Sequence, residues 1–133
     1  MNQKINPLEY AMALDEHWSP RIISNVDNYH IKVSMLKGEL TWHRHKNEDE
    51  LFLILKGTLI IEFENKSVSL NEGDIYVIPK GILHNPIAKE ECLVMLFEKS
   101  STEHTGEIQH KNSRSLEEQL RILSPKRSIK PAN

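Results

Sequence analysis

Cysteine is almost absent: Cys92 is the single one in 133 residues, so no disulfide can close within the chain, and a reducing, cytoplasmic setting is expected. With no base placed beside it by the sequence, this thiol reads as a small buried hydrophobe on a strand and not as a nucleophile. No apolar run approaches the roughly eighteen residues that a membrane-spanning helix needs, so no membrane association is expected. The start, Met1 to Asp15, has neither the apolar stretch nor the small-residue cleavage site of a secretory leader. A basic excess is missing too. Seventeen Lys and Arg against nineteen Asp and Glu give a formal charge of −2, which argues against a nucleic-acid partner, because phosphate binding draws on a clear surplus of cations. No helix-turn-helix pattern stands beside the strands, which disfavours a transcriptional regulator. Internal repeats are lacking, and 38% hydrophobic content over this length fits one core and not two.

Glycine is scarce as well, five residues in all, so the places where it falls are informative. Gly38, Gly57, Gly73 and Gly81 punctuate a stretch from Arg21 to about Lys99 that is built of short runs of Ile, Val, Leu, Phe and Thr, the pattern of strands separated by turns. Strands are predicted near 21–25, 29–37, 40–45, 50–56, 58–64, 67–70, 75–78, 83–87 and 92–98. So many strands without intervening helices predict an all-β sandwich or barrel. Before it, Asn6-Pro7-Leu8-Glu9 has a capping asparagine, a proline in the first turn and a nearby carboxylate. These predict a short helix whose face is Leu8, Ala11 and Met12, ended by Trp18-Ser19-Pro20. After it, Ser115 and Glu118 form a capping box ahead of a helix with Leu116, Leu120 and Leu123 on its apolar face, stopped at Ser124-Pro125. Lys126 to Asn133 reads as a mobile tail. The chain thus divides into a helical segment at 1–20 that packs on the barrel, the barrel at 21–100, and a loop, short helix and tail at 101–133, within one domain.

The chemistry is concentrated in histidines and acids. His43 and His45 are two residues apart and project from one face of an extended segment, and an acidic cluster follows after a short turn, while His84 arrives from a later strand. Three imidazoles and a carboxylate suit a divalent ion, whether Mn, Fe, Co, Ni or Zn. Glu48, Asp49 and Glu50 each offer a carboxylate at this spacing. Phe52 and Ile54 share the parity of Glu50 and are expected to line a pocket, with Leu51, Leu53 and Leu55 turned to a second layer or a partner protomer. Lys32 shares parity with Ser34 and Leu36. It joins Tyr76 as a pocket candidate, pointing inward as a cation for a ligand's carboxylate, although a solvent-facing lysine is the default. Trp42 is read as packing. His17, His30, His104 and His110 have no comparable frame and are left out of the ligand set, with His104 placed on a surface loop near the barrel mouth.

The block from Gly38 through His43, His45 and Glu50 to Gly57, and the block Gly73-Asp-Ile-Tyr-Val-Ile-Pro79-Lys-Gly81-Ile-Leu-His84, resemble the two signature motifs of the cupin family. The resemblance selects Glu50 among the three acids. It implies a jelly-roll β-barrel with a metal site of His43, His45, Glu50 and His84, and a homodimer. Two positions depart from the family pattern: Gly38 lies one residue closer to His43, and Ala88 stands where an asparagine often ends the second motif, removing an amide that would have oriented His84. Four protein ligands on a six-coordinate ion leave two adjacent positions open, which favours a metalloenzyme over a closed structural site. The expected function is isomerase, decarboxylase or dioxygenase chemistry on a small oxygen-bearing molecule. The alternative is a binding or sensing module that captures such a molecule without turnover.

Overall fold

A computed structural model describes residues 3–106 and 108–125. Helix α1 (Pro7–Met12) precedes seven strands, β1 (Arg21–Val26), β2 (Tyr29–Glu39), β3 (Glu50–Lys56), β4 (Leu59–Phe63), β5 (Ser67–Leu70), β6 (Ile75–Ile78) and β7 (His84–Lys99), and helix α2 (Leu116–Gln119) follows. All strand pairings are antiparallel. β1, β2, β7, β3 and β6 lie side by side in that order, and the β4–β5 hairpin attaches to β7. β7 holds the fold together. Its C-terminal half is flanked by β2 and β3, while its N-terminal end pairs with β4 through His84↔Phe63 and Ile87↔Ile60. The sheet curls around one apolar core of Phe52, Ile54, Leu59, Ile61, Ile78, Val94 and their neighbours, making a jelly-roll barrel.

Local chemistry sets the corners. β1 turns into β2 across Asp27-Asn28, with Asp27 at φ 49, a left-handed conformation that short polar side chains tolerate. Gly57, between β3 and β4, has φ +90, and a Cβ there would stand 3.0 Å from the Glu91 carbonyl oxygen and 3.3 Å from the Cys92 Cα. In α1 the Asn6 side chain accepts from the Leu8 and Glu9 amides. Ala11 and Leu14 then pack with Val33 and Leu93 on the outside of the barrel, joined by Leu8, Leu55 and Leu123. Met12, expected on the same face, is 62% exposed.

Two strand expectations need correction. Residues 40–45 form no strand: one bridge, His43↔His84, is all that pairs there. The Leu40 amide reaches the Pro86 carbonyl at 3.4 Å, and proline has no N–H to return the bond, so the ladder lapses. The two segments expected at 83–87 and 92–98 are a single strand, because Lys89, Glu90 and Glu91 continue it with their side chains in solvent. In α2 the capping box of Ser115 and Glu118 is present, but Leu116 and Leu120 are 51% and 54% exposed, and the buried residue is Gln119. A buried polar anchor sets how this helix is turned. The mobile tail expected at 126–133 lies outside the described residues. No helix among those described is long and apolar enough to cross a membrane.

Beyond the reach of α1, the outer face of the sheet is apolar. Val77, Leu51 and Phe97 stand across three adjacent strands, as do Ile75, Leu53 and Met95, and Tyr29 stacks on Phe97 at 5.0 Å. Ile75 and Val77 remain 60% and 47% exposed.

Replacing Gly57 by alanine should lower stability by about 1–3 kcal/mol, because the left-handed backbone and the contact with backbone atoms penalise any Cβ. Urea unfolding followed by circular dichroism gives the measurement; an unchanged midpoint would contradict this account of the turn.

Candidate metal centre

His43 and His84 are neighbours because their backbones exchange two hydrogen bonds, each 2.9 Å long. His45 is fixed on the next turn, where its carbonyl accepts from the Gly81 amide at 2.8 Å. Glu50 opens β3, in register with Ile78 on one side and Glu98 on the other. One ligand-type atom from each of these four residues lies within 4.8 Å of the others, and all four side chains are buried, at 2%, 4%, 5% and 0% exposure for His43, His45, Glu50 and His84. The neighbouring acids are engaged elsewhere. Asp49 accepts from the Lys80 amide and Glu48 from the Ser101 hydroxyl, which leaves Glu50 as the carboxylate of the cluster.

Hydrogen bonds also set the tautomers. Nδ1 of His43 donates to the Thr41 carbonyl, and Nδ1 of His84 donates to the Ile82 carbonyl, each at 2.9 Å, so in both rings the lone pair sits on Nε2. The amide missing at Ala88 is therefore not needed to orient His84, because the Ile82 carbonyl does so. Several buried atoms here have no hydrogen-bond partner among the described residues: both ring nitrogens of His45, Nε2 of His84 and Oε1 of Glu50. Glu50 stands 3.5 Å from Nε2 of His45 and of His84, too far for good hydrogen bonds. Orphaned polar atoms are costly in a protein interior. A shared cation would satisfy one nitrogen of His45, Nε2 of His84 and Oε1 of Glu50, and three imidazoles with one carboxylate are a donor set that fits a divalent metal.

A cupin domain model matches residues 32–98, a stretch that includes all four donors. The chain belongs to the cupin family. It is 35% identical over 85 residues to the uncharacterized protein YdbB of Bacillus subtilis (strain 168), covering 63% of this chain and 75% of that one. Among solved structures, it is similar to a cupin-2 domain protein from Shewanella frigidimarina NCIMB 400, with a TM-score of 0.70 and 42% identity over 71% of this chain and 93% of that one. Protein NMB1881 from Neisseria meningitidis gives a TM-score of 0.68 at 29% identity, over 74% and 100% of the two chains.

Charge inside this cupin barrel is compensated locally. Burial opposes a charge on Glu50, but His45 and His84 outweigh it and hold the carboxyl well below its usual range. Burial likewise opposes a charge on His45, yet Glu50, Glu98 and Glu48 raise it to about 9. His43, without such a surplus of acids, is pushed down to about 4 by burial and by His84.

A second layer lies behind Glu50. Lys32 is 1% exposed and donates to Oε1 of Glu98 at 2.9 Å and to Oε1 of Gln119 at 2.6 Å. The solvent-facing default for Lys32 is thus overturned: it points inward, with protein groups as its partners. Glu98 is raised to about 8 by burial and by the Glu50 charge, with Lys32 pulling the other way. Sequence reasoning missed Glu98, although its parity with Leu96, Val94 and Cys92 on β7 marks it as inward. His104 was also undervalued. It lines a cavity of about 500 Å³ with Thr105, Arg114 and Gln119, near enough to Glu50, Lys32 and His43 to feel their charges. The other pocket candidates are dispersed. Phe52 and Ile54 lie in the apolar core at 5% and 1% exposure, and Tyr76 packs on Phe63 and borders a separate cavity with Arg44 and Ile82.

Lys32→Met should destabilise the fold by about 1–3 kcal/mol, because it leaves the Glu98 and Gln119 oxygens unsatisfied. It should also speed proteolysis within residues 100–123 in a limited digest. Equal digestion of variant and parent would show that Gln119 does not hold that segment down.

Proposed function

We propose that this cupin binds one divalent metal ion through His43, His45, Glu50 and His84 and acts on a small oxygen-bearing organic molecule, by isomerase, decarboxylase or dioxygenase chemistry. The observation that carries the reading is the convergence of two tautomer-fixed imidazoles, a third imidazole and a carboxylate, with buried atoms that no protein group satisfies. Mn, Fe, Co, Ni and Zn all suit this donor set. A bound ion would supply Lewis acidity to a ligand oxygen, stabilising negative charge that develops there. The protein's own part is to present the lone pairs, keep bulk water from the cluster and balance the charge behind Glu50 through Glu98 and Lys32. A cytoplasmic setting goes with the lone buried thiol of Cys92, which burial and Glu72 push up to about 11, so that it stays protonated and unreactive.

The second reading, capture without turnover, draws on the depth of the cluster: its donors are all but inaccessible, as suits a site that retains a ligand. Metal-loaded protein incubated with keto acids, hydroxy acids and sugar phosphates separates the two, with product formation supporting the enzyme and saturable binding alone supporting the module.

Metal stoichiometry after purification should fall to near zero in His43→Ala and His84→Ala; full occupancy in both would remove the basis of the proposal. Uptake should also release protons. With His45 raised to about 9, its ring is protonated at neutral pH and must give up that proton to coordinate. Apparent affinity should therefore climb as pH rises from 6 towards about 9 and level off above it. Calorimetry in buffers of different ionisation enthalpy counts the protons, and a pH-independent affinity would contradict the model.

We infer a homodimer through the open sheet face of Leu51, Leu53, Ile75, Val77, Met95 and Phe97. A second copy presenting the same apolar face is its natural complement, in the isologous manner of twofold dimers. Light scattering at high micromolar concentration should give twice the monomer mass, and a monomer mass would reject the inference.

A further inference from the structure

The family match ends at residue 98, and the chain beyond it returns as a strap over the segment that carries the histidines. Three of its attachments bear on the site. The Ser101 hydroxyl donates to Glu48. Gly106, at φ +62, approaches the backbone of Arg44 so closely that a methyl group there would overlap the Arg44 carbonyl oxygen. Gln119 accepts from the buried Lys32 ammonium and donates to the Arg114 carbonyl at 3.0 Å. Arg44 lies between two of the donors and Glu48 two residues before a third, so the strap is registered against the cluster itself. Two cavities flank it: the one of about 500 Å³ that His104 lines, and one of about 210 Å³ bordered by His45, Ser101, Glu103 and Gly106.

His104 is the imidazole that the strap brings in. Its Nδ1 accepts from the Arg114 amide at 3.0 Å, which places the proton of the neutral ring on Nε2. Burial, together with Lys32, His43 and Arg114, outweighs the pull of Glu50 and brings the ring down to about 3, so it is a neutral donor throughout the physiological range. Such a donor recognises an acceptor oxygen and gives nothing to an ammonium or to an apolar group.

We propose that His104 is a ligand-contacting residue of this site, set by the strap to donate its Nε2–H to an oxygen of a small carboxylate or carbonyl compound held at the four-donor cluster. This deepens the metal-site reading and rests on it. The competing role for His104 is structural, as the acceptor for Arg114 alone, and two substitutions separate the roles. Asparagine retains an acceptor in the place of Nδ1 and removes the far donor. Glutamine carries its amide out to the place of Nε2 and gives up the near acceptor.

The test measures metal content, melting temperature and binding of pyruvate and glycolate to Co(II)-loaded protein, read from the visible spectrum of the ion. His104→Asn should keep the metal content and melting temperature of the parent yet bind the probes about tenfold more weakly, the worth of one hydrogen bond. His104→Gln should stay within about threefold, by the same measure. Loss of affinity in the glutamine but not the asparagine variant would overturn the proposal and leave His104 its structural role. Parent protein that takes up metal but binds neither probe would overturn it as well. Failure of the parent to take up metal at all would remove the metal-site reading too, and the stoichiometry reports that separately.

Discussion

One buried negative charge organises the interior of this barrel. Glu50 lies at 5% exposure with its carboxyl held ionised, and a carboxylate taken from water into a protein core is tolerable only if positive charge or donors surround it. The imidazoles of His45 and His84 stand on one side of it. On another, Glu98, which burial and the Glu50 charge raise to about 8 and so keep largely protonated near neutral pH, links through Lys32 to Gln119. Positions that an ordinary barrel would fill with valine or leucine are given over to charges that are stable only as a set, so none of them can change alone without stranding another.

Much of this was legible because a strand repeats every two residues. Parity placed Phe52 and Ile54 inward and allowed the same for Lys32, against the solvent-facing default for a lysine, and the spacing of glycines and histidines located the motifs and turns. Where the reading failed, a backbone or side-chain partner remote in sequence had intervened. Pro86 deprives the 40–45 segment of its ladder, so His43 and His45 are presented by separate anchors, one on His84 and one on Gly81. Leu116 and Leu120 promised an apolar helix face, but the pull of Lys32 on Gln119 turns that helix the other way. Glu98 went unnoticed because an acid near a strand end ordinarily faces solvent. The position of His104 depends on Gly106 meeting Arg44, a contact between residues far apart in the chain that no local pattern encodes.

The molecule divides its labour along the chain. Residues 32–98, which the family model covers, hold the donors and the charges behind them. The residues that follow add surface, polarity and closure around the same point. They are tied down through Ser101 on Glu48, Gln119 on Lys32 and Arg121 on Glu16, the first two beside the cluster. The barrel therefore carries what is common to cupins, while the returning strap is where this chain has room to be particular.

β7 carries His84 at its first residue and Glu98 one residue from its end, and three other strands depend on it for pairing. During synthesis it emerges last of all the strands. Until residue 99 has left the ribosome, β2, β3 and β4 have no central neighbour, and the other metal-type side chains stay open to solvent and to whatever ions are free in it. Contacts so distant in sequence make for slow folding, so the nascent protein spends its most vulnerable interval as a set of unpaired sheet edges, exposed to aggregation before it is exposed to any ligand.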